Sequence, residues 1–294
     1  MEKTIRNSMP APRSVRKKQE VWSHNLHEEL ELLNEYIPEF LVVTIDIGWY
    51  FGRKILRLSP IQRLNILQLG LTLVDQKENV AMTLEFNFRD FDHISDMKGI
   101  SLLDLFLKNN GFDFYKLKKD GIVPENFTTL FLPICHSGRI ERLITFHGFY
   151  EIAYLLKRLK IKFIPIFMAT FAATAQHLLG AISNLKHMAR YCDGLLDGNL
   201  ALKKFAKLLD VKRIGTAHFA GFDSLLTASI YTKMKQMFKL PLEQCEGFLY
   251  SLPHRIKAFW SILKIINPSA TTPPDKATIS IMPKDSLIQG EPPQ

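Results

Sequence analysis

Five apolar runs alternate along this chain with segments of helical spacing, and that alternation limits the folds open to it most. The runs are Phe40–Asp46, Leu64–Val74, Val80–Phe88, Leu143–Phe146 and Ala181–Asn184. Their β-branched content and alternation predict strands, with the second and third paired across the turn Asp75–Asn79. Helical spacing falls at Val21–Tyr36 (stopped by Pro38), twice within Asp113–Leu132 around a break at Gly121–Pro124, and at Tyr150–Leu159. It recurs at Leu200–Leu209, Leu225–Phe238 and Leu242–Cys245. Strands that alternate with helices predict an α/β chain with a mixed sheet flanked by helices. A length of 294 residues, 47% of them hydrophobic, suits one large domain or two small ones. The first run reads as a buried central strand ending in Asp46, and open α/β sheets gather their sites at such carboxyl ends.

The formal net charge is +9. A basic surface suits a polyanion such as RNA, because Lys and Arg release counterions from phosphates. Lys and Arg scattered over a solvated surface explain the same charge equally well. Residues 1–20 carry Arg6, Arg13, Arg16, Lys17 and Lys18 but no apolar core, so they read as a disordered basic arm rather than a secretory signal. Residues 267–294 hold many Pro, Ser and Thr and read as a disordered tail. The span 163–185 is long and almost free of charge. Its Pro165, Gln176, His177, Gly180, Ser183 and Asn184 point instead to a buried helix followed by a buried strand, and to no membrane contact. Cys135, Cys192 and Cys245 have no metal spacing and read as buried thiols in a reducing compartment.

The text T-A-H-F-A-G-F-D-S-L-L-T at Thr216–Thr227 sets His218 and Asp223 five apart across Gly221. The glycine permits a tight turn before a helix, with Asp223 at the helix start, where carboxylates are favoured. On spacing alone Asp223 reads more readily as a helix cap than as a site residue. Glu151 likewise reads as an early-turn residue favoured by the helix dipole.

The same text resembles the last active-site motif, H-Q-A-G-S-D-S-L-L-T, of the CAF-one (Pop-two) ribonuclease family, the DEDD-type deadenylase subunit of the CCR-four–NOT complex. Phe219 stands for Gln and Phe222 for Ser. The likeness extends from Val21 to Leu252. It includes L-Q-L-G-L-T within Leu64–Val74, S-L-L-D-L-F-L-K-N-N-G-F-D at Ser101–Asp113 and F-L-Y-S-L at Phe248–Leu252. Where the family reads D-T-E-F, this chain reads D-I-G-W, so Asp46 is kept and Gly48 replaces a carboxylate. The family's S-F-H-S-G-Y-D aligns with the stretch ending in Glu151, a longer carboxylate. Asn184 replaces a further Asp, and the segment between Asp46 and Gln68 is shorter than in the family.

The resemblance implies a single ribonuclease-H-like domain over residues 21–266. It implies a poly(A)-specific 3′→5′ exoribonuclease, active in mRNA deadenylation and using divalent Mg or Mn. Asp46, Glu151 and Asp223 would be the metal ligands and His218 the general base. Gly48 for Glu and Glu151 for Asp make a degraded site, with Glu85 or Asp197 as candidate stand-ins for the absent ligand. The implied partners are poly(A) RNA, the NOT scaffold subunit and a CCR-four-type nuclease, in nucleus and cytoplasm. The competing reading is a catalytically inactive binding or scaffold subunit. A third is an RNA-binding domain outside the complex.

Overall fold

The computed structural model describes residues 18–37, 42–48, 66–75, 77, 79–89, 109, 111–137, 140–159 and 168–247. The segment expected to be shortened after Asp46, most of Ser101–Asp113 and both expected disordered tails (except residues 18–20) lie outside this set. Its strands are β1 (Gln19–Val21), β2 (Val42–Gly48), β3 (Gln68–Val74), β4 (Val80–Asn87), β5 (Arg142–Thr145) and β6 (Ala181–Asn184). They form one sheet in the order β1-β4-β3-β2-β5-β6. The β2–β3 and β3–β4 pairs are antiparallel, while β1–β4, β2–β5 and β5–β6 are parallel. The mixed α/β sheet expected from the sequence is thus present.

Strand alternation gives the central three strands two different faces. Val43, Ile45, Ile47, Leu69, Leu71, Leu73, Met82, Leu84 and Phe86 belong to one buried apolar cluster. That cluster includes residues of helices α1 (Leu26–Tyr36), α3 (Pro124–His136), α4 (Phe149–Arg158) and α5 (Met168–Leu179), and the short α2 (Phe114–Asp120) precedes α3. Phe127 of α3 meets Phe86 and Phe88 edge-on, at 5.1 and 5.2 Å between ring centres. After β6 come the short α6 (Leu185–Met188), α7 (Leu202–Leu208), the long α8 (Ala220–Met237) and α9 (Leu242–Cys245). The opposite sheet face carries Thr44, Asp46, Gly70, Thr72, Thr83 and Glu85, and α8 lies across it. Ser224 fixes the helix there: its carbonyl accepts from Thr44 Oγ1 at 2.9 Å, and its hydroxyl meets Thr72 Oγ1 at 2.9 Å.

Element ends shift from the sequence reading at several places, and three of these shifts bear on the site. Residues 18–20 are not part of a loose arm, since Gln19–Val21 pairs with β4. The first helix starts at Leu26 rather than Val21. Asn25 turns the chain before it, accepting from the Trp22 N–H at 2.7 Å and donating to the Glu20 carbonyl at 3.0 Å. Helix α8 starts at Ala220, five residues before Leu225, so Gly221 lies inside its first turn and makes no turn ahead of it. The three cysteines are free and buried, as expected. Among the described residues no helix is long and apolar enough to cross a membrane.

Candidate active site

The first turn of a helix leaves backbone N–H groups without intrahelical partners. In α8 the sheet supplies them: Gln68 Oε1 accepts from Ala220 N at 3.3 Å and Glu85 Oε2 from Gly221 N at 2.8 Å. The helix comes this close because Gly70 has no side chain. A Cβ there would lie 1.8 Å from the Ala220 carbonyl oxygen. The register sets Asp46, Gly70 and Glu85 side by side across three strands, so the start of α8 sits with Asp46 to one side and Glu85 to the other.

Three carboxylates then share one end of the sheet. Asp46 stands near the carboxyl end of β2. The neighbouring parallel strand β5 ends at Thr145 and leads through His147 and Gly148 (φ +94°) into α4, which presents Glu151 in its first turn. Asp223 comes from the first turn of α8. Burial first, then the charges of Asp223 and Glu151, hold the Asp46 carboxyl well above its ordinary range, and Arg213 only partly offsets them. Burial also raises Glu151, against the pull of backbone N–H groups and Lys186. Glu151 Oε1 accepts from the His147 N–H at 2.9 Å, while its buried Oε2 has no hydrogen-bond partner among the described residues. His218 is exposed on the loop before α8, with φ +73°. Its backbone N–H donates to Asp223 Oδ2 at 3.2 Å.

The candidate stand-ins do not complete this group. Glu85 is committed to the α8 N-terminus and to Lys18, whose Nζ is 2.6 Å away. Asp197 lies exposed in the single turn Leu196–Gly198 and joins no group of ligands among the described residues. Asn184 has a role that needs an amide. Its Nδ2 donates to the Phe146 carbonyl at 2.8 Å while its Oδ1 caps α6 at the His187 N–H, 3.0 Å away. A carboxylate could not make the first of these bonds. Gly48 closes β2 opposite Gln68 and brings no donor.

Sequence reading missed the cations. Arg213 pairs with Asp223 Oδ1. Lys186 is buried and lies over the Phe146 ring, 5.3 Å from its centre. Burial lowers its pKa and nearby Glu151 pulls it back. Burial and Lys186 push His147 down to about 4, so this imidazole is neutral at physiological pH. The only signal available was V-K-R-I-G, which the chain text places ten residues before Asp223 without indicating a pairing.

An all-oxygen set of carboxylates suits magnesium or manganese. The crowding of negative charge on Asp46 and the unpartnered Glu151 Oε2 fit such a cation. Among the described residues, however, no three His, Cys, Asp or Glu side chains are grouped closely enough to hold an ion.

This crowding has a consequence for stability. Carboxyls whose pKa is raised on folding bind protons more tightly in the folded state. Their contribution is therefore favourable at low pH and is lost as pH rises from about 4 through their folded values. Asp46→Asn should stabilise the metal-free protein at pH 7.5 by about 0.5–2 kcal/mol. The gain should shrink toward pH 4.5 in urea titrations, and a pH-independent difference would contradict this.

No protein-family model matches the chain. It is 31% identical over 261 residues to CCR4-associated factor 1 homolog 7 of Arabidopsis thaliana, covering 79% of this chain and 92% of the relative. Its structure is similar to that of S. pombe Pop2p in the Mg2+ and Mn2+ bound form. That match has a TM-score of 0.69 and 28% identity, over 81% of this chain and 100% of the other. Yeast CAF1 co-crystallised with the NOT1 MIF4G domain shares the fold at a TM-score of 0.66 and 21% identity, over 82% and 99% of the two chains.

Proposed function

The chain belongs to the CCR4-associated factor 1 (Pop2) family, with its ribonuclease-H-like fold, and we propose that it shortens poly(A) from the 3′ end as a slow exoribonuclease. The observation that carries this reading is that Asp46, near the carboxyl end of β2, feels the charges of both Glu151 and Asp223, from the first turns of α4 and α8. When bound, a divalent magnesium or manganese ion supplies an activated water and neutralises phosphate charge. Asp46, Asp223 and Glu151 are the residues that would hold it. His218, exposed on the loop before α8, is the residue that would take the proton of the attacking water. Gly48 leaves the set one carboxylate short. Disturbing even the partners of metal ligands costs roughly 10–100-fold in affinity or activity, so a missing ligand costs at least that.

The poly(A) tail would be the substrate, and the NOT scaffold and a CCR4-type nuclease the protein partners. Nucleus and cytoplasm would be the setting. The co-crystal of yeast CAF1 with the NOT1 MIF4G domain supports the scaffold contact. The test is single-turnover digestion of 20-residue oligo(A), oligo(U) and a 3′-phosphorylated oligo(A). A one-nucleotide ladder on oligo(A), faint on oligo(U) and blocked by the phosphate, is the expected result. Internal cleavage would reject an exonuclease.

The Arg213–Asp223 pair favours a second reading, a binding or scaffold subunit without turnover. That reading expects co-purification with the NOT scaffold and no ladder.

A further inference from the structure

The buried ion pair beside α8 is not used by the chemistry above. Lys18 and Glu85 have side chains only 8% and 1% exposed, and their charged atoms are 2.6 Å apart. The Lys18 ammonium also lies 4.5 Å from the ring centre of Phe222 and 5.3 Å from that of Phe219. Phe219 in turn stacks on Phe112, at 4.7 Å and 9°. Gly215 (φ +75°) packs against the Phe222 ring, where a Cβ would come within 2.2 Å. A Cβ on Gly221 would meet Lys18 Cδ at 2.7 Å. Gly215, Phe222, Lys18, Phe219 and Phe112 thus form one continuous packing, which spans the loop bearing His218 and the helix turn bearing Asp223. Phe219 and Phe222 are the two positions where the motif departs from H-Q-A-G-S-D.

We propose that Lys18 is a positioning residue: gripped by Glu85 and the two phenylalanine rings, it fixes residues 215–223 so that His218 and Asp223 are held at the Asp46 end of the sheet. The role in turnover rests on the exonuclease reading, while the positioning itself is measurable without it. Hydrogen exchange of residues 215–223 should be compared in the native protein, Lys18→Met and Lys18→Met/Glu85→Gln. The double variant removes both buried charges, so it stays folded even if the single one does not.

Both variants should exchange faster in this segment, on the order of tenfold, with β3 unchanged. On oligo(A), kcat should fall by a similar factor with KM unchanged. Native exchange in the double variant would overturn the proposal, leaving Lys18 as a counter-ion for Glu85 alone. So would a rise in KM with kcat and exchange both unchanged. If native protein shows no turnover, the exonuclease reading fails while the exchange result still decides the positioning.

Discussion

Gly70→Ala should destabilise the protein by about 3 kcal/mol, the upper end of the usual range for overpacking. The added Cβ would lie 1.8 Å from the Ala220 carbonyl oxygen, 2.2 Å from its carbon and 2.7 Å from the Gly221 nitrogen. All three are backbone atoms, so no rotamer change relieves the clash. Either β3 bends or the start of α8 lifts. Lifting breaks the bonds from Ala220 and Gly221 to Gln68 and Glu85 and carries Asp223 away from Asp46. Melting should fall by roughly 6–12 °C, taking ~2–4 °C per kcal/mol for a domain of this size. Activity should fall further than the folded fraction does. A variant that melts with the native protein would show that α8 does not rest on the sheet at this point.

The double change Gly48→Glu, Glu151→Asp should raise the rate of oligo(A) shortening by about 100-fold or more. Residues two apart on a strand face the same way, so a glutamate at 48 emerges beside Asp46, on the α8 side of the sheet. It supplies the fourth carboxylate. Shortening Glu151 by one methylene draws its carboxylate back by about an ångström, and a misplacement of that size can cost on the order of 100-fold. The two gains need not multiply, because ligands acting as a unit are not additive. The variant should also be less stable than the native protein without metal and recover with Mn2+, since it adds charge beside a carboxyl already crowded by Asp223 and Glu151. Unchanged turnover would mean that these two positions do not limit the chemistry.

The fold was legible because its main signal is local. Alternation and β-branched content located β2 to β6, and Ala181–Asn184 matches β6 residue for residue. Strand β1 escaped because three residues carry no period, and its existence depends on β4, more than sixty positions away. The early start of α8 escaped for a related reason. A glycine read alone signals a break, but Gly221 is small because Lys18 and Glu85 occupy the space beside it. Asp46 could be placed near a strand end and Asp223 near a helix start, but only the family resemblance joined the two in one site. The cations could not be placed. The Arg213–Asp223 and Lys18–Glu85 contacts are set by how loop, helix and sheet pack, and nothing in the spacing of those residues encodes them. Asn184 likewise looked like a lost carboxylate until its amide was found bridging two backbone segments.

The most direct test is shortening of 5′-labelled oligo(A) by the purified native protein and by Asp223→Ala, each with Mg2+ and with Mn2+. Slow stepwise shortening by the native protein, lost in Asp223→Ala, is the predicted result. Equal shortening by both proteins, or none by the native protein with either metal, would contradict a working site built on Asp46, Glu151 and Asp223.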